Sequence, residues 1–102
     1  MITQTEINNI GFSVTKNIKK LINAGVITQR TISSLLNKNH STINIFLNTK
    51  HTIFYKKTII GFYNIKDELY RISCESIKAK HISVEYINVL NDIINELNKL
   101  SK

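Results

Sequence analysis

Apolar residues recur along this chain mostly at the spacing of helices rather than of strands. Through residues 1–24, Ile10, Val14, Ile18, Leu21 and Ile22 make one stripe, with Lys16, Lys19 and Lys20 largely off it. The stripe predicts a first helix, capped by Thr3 or Thr5, with Glu6 near its positive end. Gly11 is expected to part a short leading turn from the main helix. Gly25, following Ala24, is expected to end the helix as a left-handed cap. Thr28 then caps a second short helix running to Leu36, and Asn39 or its neighbour caps a third, His40 to about Asn48. Asn37 falls where the chain must turn left-handed, which Asn tolerates better than most residues. Ile32, Leu36, Ile43 and Phe46 are expected to be buried between these two helices, with the small Ser33 at their crossing.

Thr49-Lys50-His51-Thr52 reads as a loop. Beyond it, Ile59, Phe62, Ile65, Leu69 and Ile72 predict a fourth helix from near Tyr55. The β-branched and aromatic runs Thr52–Tyr55 and Thr58–Tyr63, around Lys56-Lys57, offer a β-hairpin wing as the alternative. The helical spacing continues to Ile72 and favours the helix. A break is expected around Ser76–His81. Ser83 would cap a last helix, with Glu85 in its first turn. In that helix Ile87, Leu90, Ile94 and Leu97 fall on a coiled-coil-like seam, and Val89, Ile93 and Leu100 form a second stripe. One stripe can pack on the domain while the other meets a second copy; the alternative is that both are buried in the monomer. The expected architecture is all-α, a bundle of about five helices. Residues 1–75 form a helix-turn-helix domain, and 76–102 a C-terminal helix for packing or dimerisation.

Charge sharpens this picture. The formal net charge is +7 over 102 residues, unevenly spread. From Ile7 to Lys66 there is no acidic residue, while Lys16, Lys19, Lys20, Arg30, Lys38, Lys50, Lys56, Lys57 and Lys66 contribute nine positive charges. Residues 67–102 carry six acids against five bases. A basic block that contains a helix-turn-helix, beside a near-neutral tail, is the electrostatic footprint of a nucleic-acid binder.

Other classes find less support. No pair of acids lies in the basic block, no nucleophile and base stand at motif spacing, and no glycine-rich phosphate loop occurs, so no enzyme is expected. Three histidines and the single Cys74 lack zinc spacing, so neither metal nor cofactor is expected. Cys74 is read as a small core residue, and one cysteine fits a reducing cytoplasm. No apolar run reaches the roughly 18 residues that span a bilayer, and the first residues lack the pattern of a signal peptide. Abundant Ile, Asn and Lys with no proline would follow from an AT-rich coding sequence.

The segment Thr28–Lys50 resembles the helix-turn-helix of Cro and XRE-type phage regulators, the lambda-repressor-like family. The residues that carry the resemblance are the opening Thr28-Gln29, the apolar-plus-small pair Ile32-Ser33, and Ser41-Thr42-Ile43 at the start of the third helix. The run Phe46-Leu47-Asn48-Thr49-Lys50 is similar to the exit also seen in the Lac-repressor family. The chain departs from the pattern at Asn37, Lys38 and Thr49. Ile45 and Leu47 stand where the family is often polar, which makes the expected outer face of the third helix oilier. The resemblance implies a lambda-repressor-like bundle and a transcriptional regulator, a repressor from a phage or other mobile element. It also implies two copies on a palindrome, with Ile87, Leu90, Ile94 and Leu97 as the candidate dimer interface.

A helix in the major groove reads base edges with its N-terminal end and outer face. With Ile43 and Phe46 inward, His40, Ser41, Asn44 and Ile45 are the candidate base-reading residues. Asn44 suits an adenine edge and Ile45 a thymine methyl, so an A·T-containing double-stranded site is expected. Thr28 and Gln29, at a helix N-terminus, are candidate backbone contacts, as are Lys56 and Lys57 at the start of the fourth helix. Thr42, Asn48 and Lys50 correspond to backbone-touching positions in the resembled family. The competing expectation, motivated by Ile45, Leu47 and the C-terminal helix, is a protein-binding module that keeps this shape. Such a module would be a small phage-encoded inhibitor of a host enzyme or defence nuclease, or an antitoxin.

Overall fold

In the computed structural model, which describes residues 2–48 and 53–101, the Thr3 hydroxyl accepts from the Glu6 backbone N–H at 3.2 Å and opens the first helix. That helix, α1, spans Gln4–Asn23 and buries Ile7, Ile10, Val14, Ile18 and Leu21 along one face. It runs unbroken through Gly11, contrary to the expected leading turn. The glycine has a different purpose. The Phe54 ring lies directly over it, and a Cβ built at Gly11 would stand 2.5 Å from the Phe54 Cγ. The Phe54 backbone is tied to the same helix: Gln4 Nε2 donates to its carbonyl at 2.7 Å, and its N–H donates to Asn8 Oδ1 at 2.8 Å. Replacing a helical glycine by alanine ordinarily stabilises a helix by about 1 kcal/mol. Here Gly11→Ala is expected to lower the melting temperature instead, because overpacking against an anchored ring costs about 1–3 kcal/mol. A thermal melt that rises would show that the ring gives way freely.

Gly25 ends this region with φ +78°, as expected, and the Val26 N–H closes back onto the Leu21 carbonyl at 3.0 Å. The next two helices also begin and end where the sequence places them. Thr28 caps α2 (Gln29–Leu36), its hydroxyl accepting from the Thr31 N–H at 3.1 Å. Asn37 is left-handed, with φ 55° and ψ 44°, and the Lys38 N–H donates to the Ser33 carbonyl at 3.0 Å. Asn39 caps α3 (His40–Asn48) by accepting from both the N–H and the hydroxyl of Thr42, at 2.8 and 2.7 Å. Ser33 is buried, its hydroxyl turned back to the Gln29 carbonyl at 3.1 Å.

The segment after Tyr55 is the helix and not the wing: α4 spans Lys56–Ala79, and no strand occurs among the described residues. It passes through the expected break at Ser76 because its buried stripe continues. Ile59, Phe62 and Leu69 are followed at steps of four by Ser73 and Ile77. The chain turns only at Lys80–His81, where His81 takes φ 53°. The loop expected over residues 49–52 lies outside the described residues.

The last helix, α5, spans Tyr86–Asn98, with Glu85 as its cap residue instead of a first-turn residue. Ser83 opens the preceding turn, its carbonyl accepting from the Tyr86 N–H at 3.3 Å. α5 lies against α1 and α4 and shares their core. This places part of the candidate dimer seam inside the monomer. Leu90 and Leu97 are buried in the monomer, joined by Ile93 from the other stripe, while Ile87 and Ile94 are half-buried at its edge. Positions 90, 93 and 97 share one face of a straight helix, and two neighbouring helices already cover that face.

Candidate nucleic-acid interface

The inner side of α3 is fixed by Ile43 and Leu47, both buried. Leu47 therefore does not belong to the outer face where it was expected; four residues on from Ile43, it takes the same inward side. Phe46 is half-buried and stacks on Phe62 with centroids 5.2 Å apart and planes 25° apart. It also meets the edge of Phe54 at 5.6 Å. This aromatic column seats α3 on α4 and on the segment leading into it.

The outer side of α3 presents His40, Ser41, Thr42, Asn44, Ile45 and Asn48, all exposed. Ile45 is the apolar exception, 57% exposed. Asn48 Nδ2 donates to the Asn44 side-chain oxygen at 2.7 Å and to its backbone carbonyl at 3.1 Å. These bonds orient the Asn44 carboxamide and leave one acceptor position on that oxygen. Thr42 is exposed, with its hydroxyl directed to Asn39.

The candidate backbone contacts are less uniform. Lys56 and Lys57 are exposed at the start of α4, and Thr28 is exposed with its hydroxyl engaged in capping. Gln29 is half-buried, and its side-chain nitrogen is enclosed with no hydrogen-bond partner among the described residues. Lys50 lies outside the described residues.

Among the described residues, ion pairs occur from Lys66 onward. Lys66 approaches Asp67 at 3.9 Å, Arg71 joins Glu68 and Glu75, and Lys99 holds Glu96 at 2.9 Å. Lys16, Lys19, Lys20, Arg30, Lys38, Lys56 and Lys57 enter none of these pairs. The perturbed ionisable groups follow the same division. Hydrogen bonding to Arg71 holds the Glu68 carboxyl below its usual range, and Glu68 and Glu75 push the Arg71 guanidinium up. Cys74, itself half-buried, raises the Tyr70 phenol through its charge when ionised and through a hydrogen bond. These α4 groups account for one another and lie apart from α3 in the chain.

One feature was missed from the sequence. A trough of about 520 Å³ runs beside α3, between it and the start of α4. Leu36, Ile43 and Phe46 contribute to its lining, as do the exposed Ile45, Tyr55 and Ile60. Lys38 and Lys57 also line it. The available signal was Ile60, an apolar residue beside the stripe residue Ile59, next to Gly61. A Cβ at Gly61 would touch the Leu36 side chain at 3.5 Å.

The fold is thus an all-α domain with a short, exposed, acid-free helix after a left-handed turn. Among the described residues, no helix is long and apolar enough to cross a membrane. No family model, curated protein or solved structure matches the chain.

Proposed function

We propose that the protein is a sequence-specific DNA-binding regulator, a repressor of phage or mobile-element origin, that reads the major groove with α3 in the manner of lambda-repressor-like domains. One observation carries this reading. His40, Ser41 and Asn44 stand exposed on α3 directly after the left-handed Asn37 turn, within a sixty-residue block that has no acid. An α-helix fits the major groove, and a surface without carboxylates does not repel the phosphates on either side.

The roles follow from position. Asn44, steadied by Asn48, makes paired hydrogen bonds to an adenine edge, and Ile45 packs on a thymine methyl. Lys56 and Lys57 hold the phosphate backbone, with Lys50 as a further contact from the sequence. Gln29 supports this account in a specific way. A buried amide N–H without a partner costs about 1–3 kcal/mol, and swinging out to a phosphate oxygen relieves that cost. Two copies on a palindrome would extend the site. With Leu90 and Leu97 buried, the surface of α5 left for pairing is the edge that carries Ile87 and Ile94.

Asn44→Ala is expected to erase preference at one or two base positions, at about 1–3 kcal/mol for the pair of bonds. Binding to unrelated sequences should be nearly unchanged. Binding profiles of the two proteins on the same randomised duplex pool check this; identical profiles would remove Asn44 from the readers. A second reading, that the shape serves to bind a protein, has one observation in its favour: the apolar trough beside α3.

A further inference from the structure

We propose that the trough between α3 and α4 is a docking site for an acidic amphipathic helix of a partner protein, and that such a helix competes with DNA for α3. The docking stands on the trough itself; the competition rests on the DNA-reading proposal.

The trough includes apolar side chains to which the proposed DNA contacts assign no role. Ile45, Tyr55 and Ile60 are 57%, 79% and 38% exposed and lie along a floor formed in part by Leu36 and Phe46. Phosphates would engage Lys38 and Lys57 but leave Tyr55 and Ile60 against water. Apolar side chains gathered along a concave strip and flanked by lysines suit the apolar face of a partner helix. Because so much of its lining is exposed, the strip is an open trough and not an enclosed pocket, which suits a helix better than a small molecule.

Charge selects the occupant. Lys38 and Lys57 line the trough, Lys56 adjoins it, and no acid lies between Ile7 and Lys66. A helix with apolar anchors on one face and carboxylates on its flanks matches both features; a basic helix is repelled. A second copy docked face to face would set the same lysines against each other. Thr42 and Ile45 connect this site to the other, since both line the trough and both belong to the DNA-facing side of α3. A helix seated there covers them.

The test uses the full chain and a fluorescent designed peptide of about four helical turns, with leucines at helical spacing and glutamates elsewhere. A twin with lysine in place of every glutamate is the control. Anisotropy titrations should give saturable binding of the acidic peptide. The twin, and the variants Ile60→Asp and Tyr55→Ser, should bind at least about tenfold more weakly, and Lys57→Glu about three- to tenfold more weakly. Both apolar positions are exposed, and circular dichroism of each variant checks that the fold is retained. The acidic peptide should also displace a bound duplex. Absence of saturable binding, equal binding of the twin, or wild-type binding by both apolar variants overturns the docking. A dimer mass that Ile60→Asp converts to monomer assigns the trough to a second copy and also overturns it. Docking without displacement from a protein that binds DNA overturns the competition. Docking by a protein that binds no DNA supports the docking and overturns the DNA reading.

Discussion

Phe54→Ala is expected to destabilise the protein by about 3–5 kcal/mol, the usual cost of emptying a buried phenylalanine site. The ring is 4% exposed and fills the junction of three elements. It sits over Gly11 of α1, meets Phe12 edge-on at 5.1 Å and meets Phe46 of α3 edge-on at 5.6 Å. Glycine at position 11 leaves no side chain to collapse into the vacated space, so the cavity persists. At about 4–8 °C per kcal/mol for a domain of this size, the melting temperature should fall by roughly 12–40 °C. Phe12→Ala is the natural comparison, because Phe12 is half exposed and its loss removes an edge contact without opening the core. Equal, small shifts for the two variants would mean that Phe54 does not join α1 to α3.

Salt should have the second large effect, on DNA affinity. If Lys50, Lys56 and Lys57 each neutralise one phosphate in both half-sites, about six counterions are released and log affinity falls with log salt at a slope near −5. Between about 50 and 200 mM salt, that amounts to roughly a thousandfold loss. Changing Lys56 and Lys57 to alanine should flatten the slope to about −2 for two protomers and leave the preferred sequence unchanged, since phosphate contacts position and base contacts specify. A slope near zero in the wild-type chain would exclude phosphate contact as the source of binding. A slope unaffected by the double change would move that contact to other lysines.

The parts of this molecule most readable from sequence were those governed by local chemistry. Thr28, Asn37 and Asn39 set the limits of α2 and α3 through capping bonds and a left-handed residue, which depend on a few neighbours. The misreadings came from contacts between distant segments. Gly11 looked like a helix interruption because nothing nearby reveals that Phe54 lies on it. Leu47 was set outward by a family pattern, whereas its step of four from Ile43 places it in the core. Leu90 and Leu97 fall on coiled-coil-like spacing, but such a pattern does not say which helix covers it; in the monomer α1 and α4 do. The trough needed α3 and α4 placed side by side before Ile45, Tyr55 and Ile60 could be seen as one surface.

With Leu47 inside, Ile45 remains as the apolar residue on the outer side of α3. One isoleucine among His40, Ser41 and Asn44 is compatible with reading a thymine methyl. Of the two apolar residues that favour a protein partner, Leu47 lies in the core, and Ile45 also lines the trough beside α3.

The most direct measurement is selection of bound sequences from random duplex DNA, with the mass of the complex determined in the same buffer. The proposed function predicts an enriched A·T-containing palindrome, with half-sites one helical turn apart and two chains per duplex. A pool that stays random after selection, at a salt concentration where the protein is bound, would contradict base reading by α3.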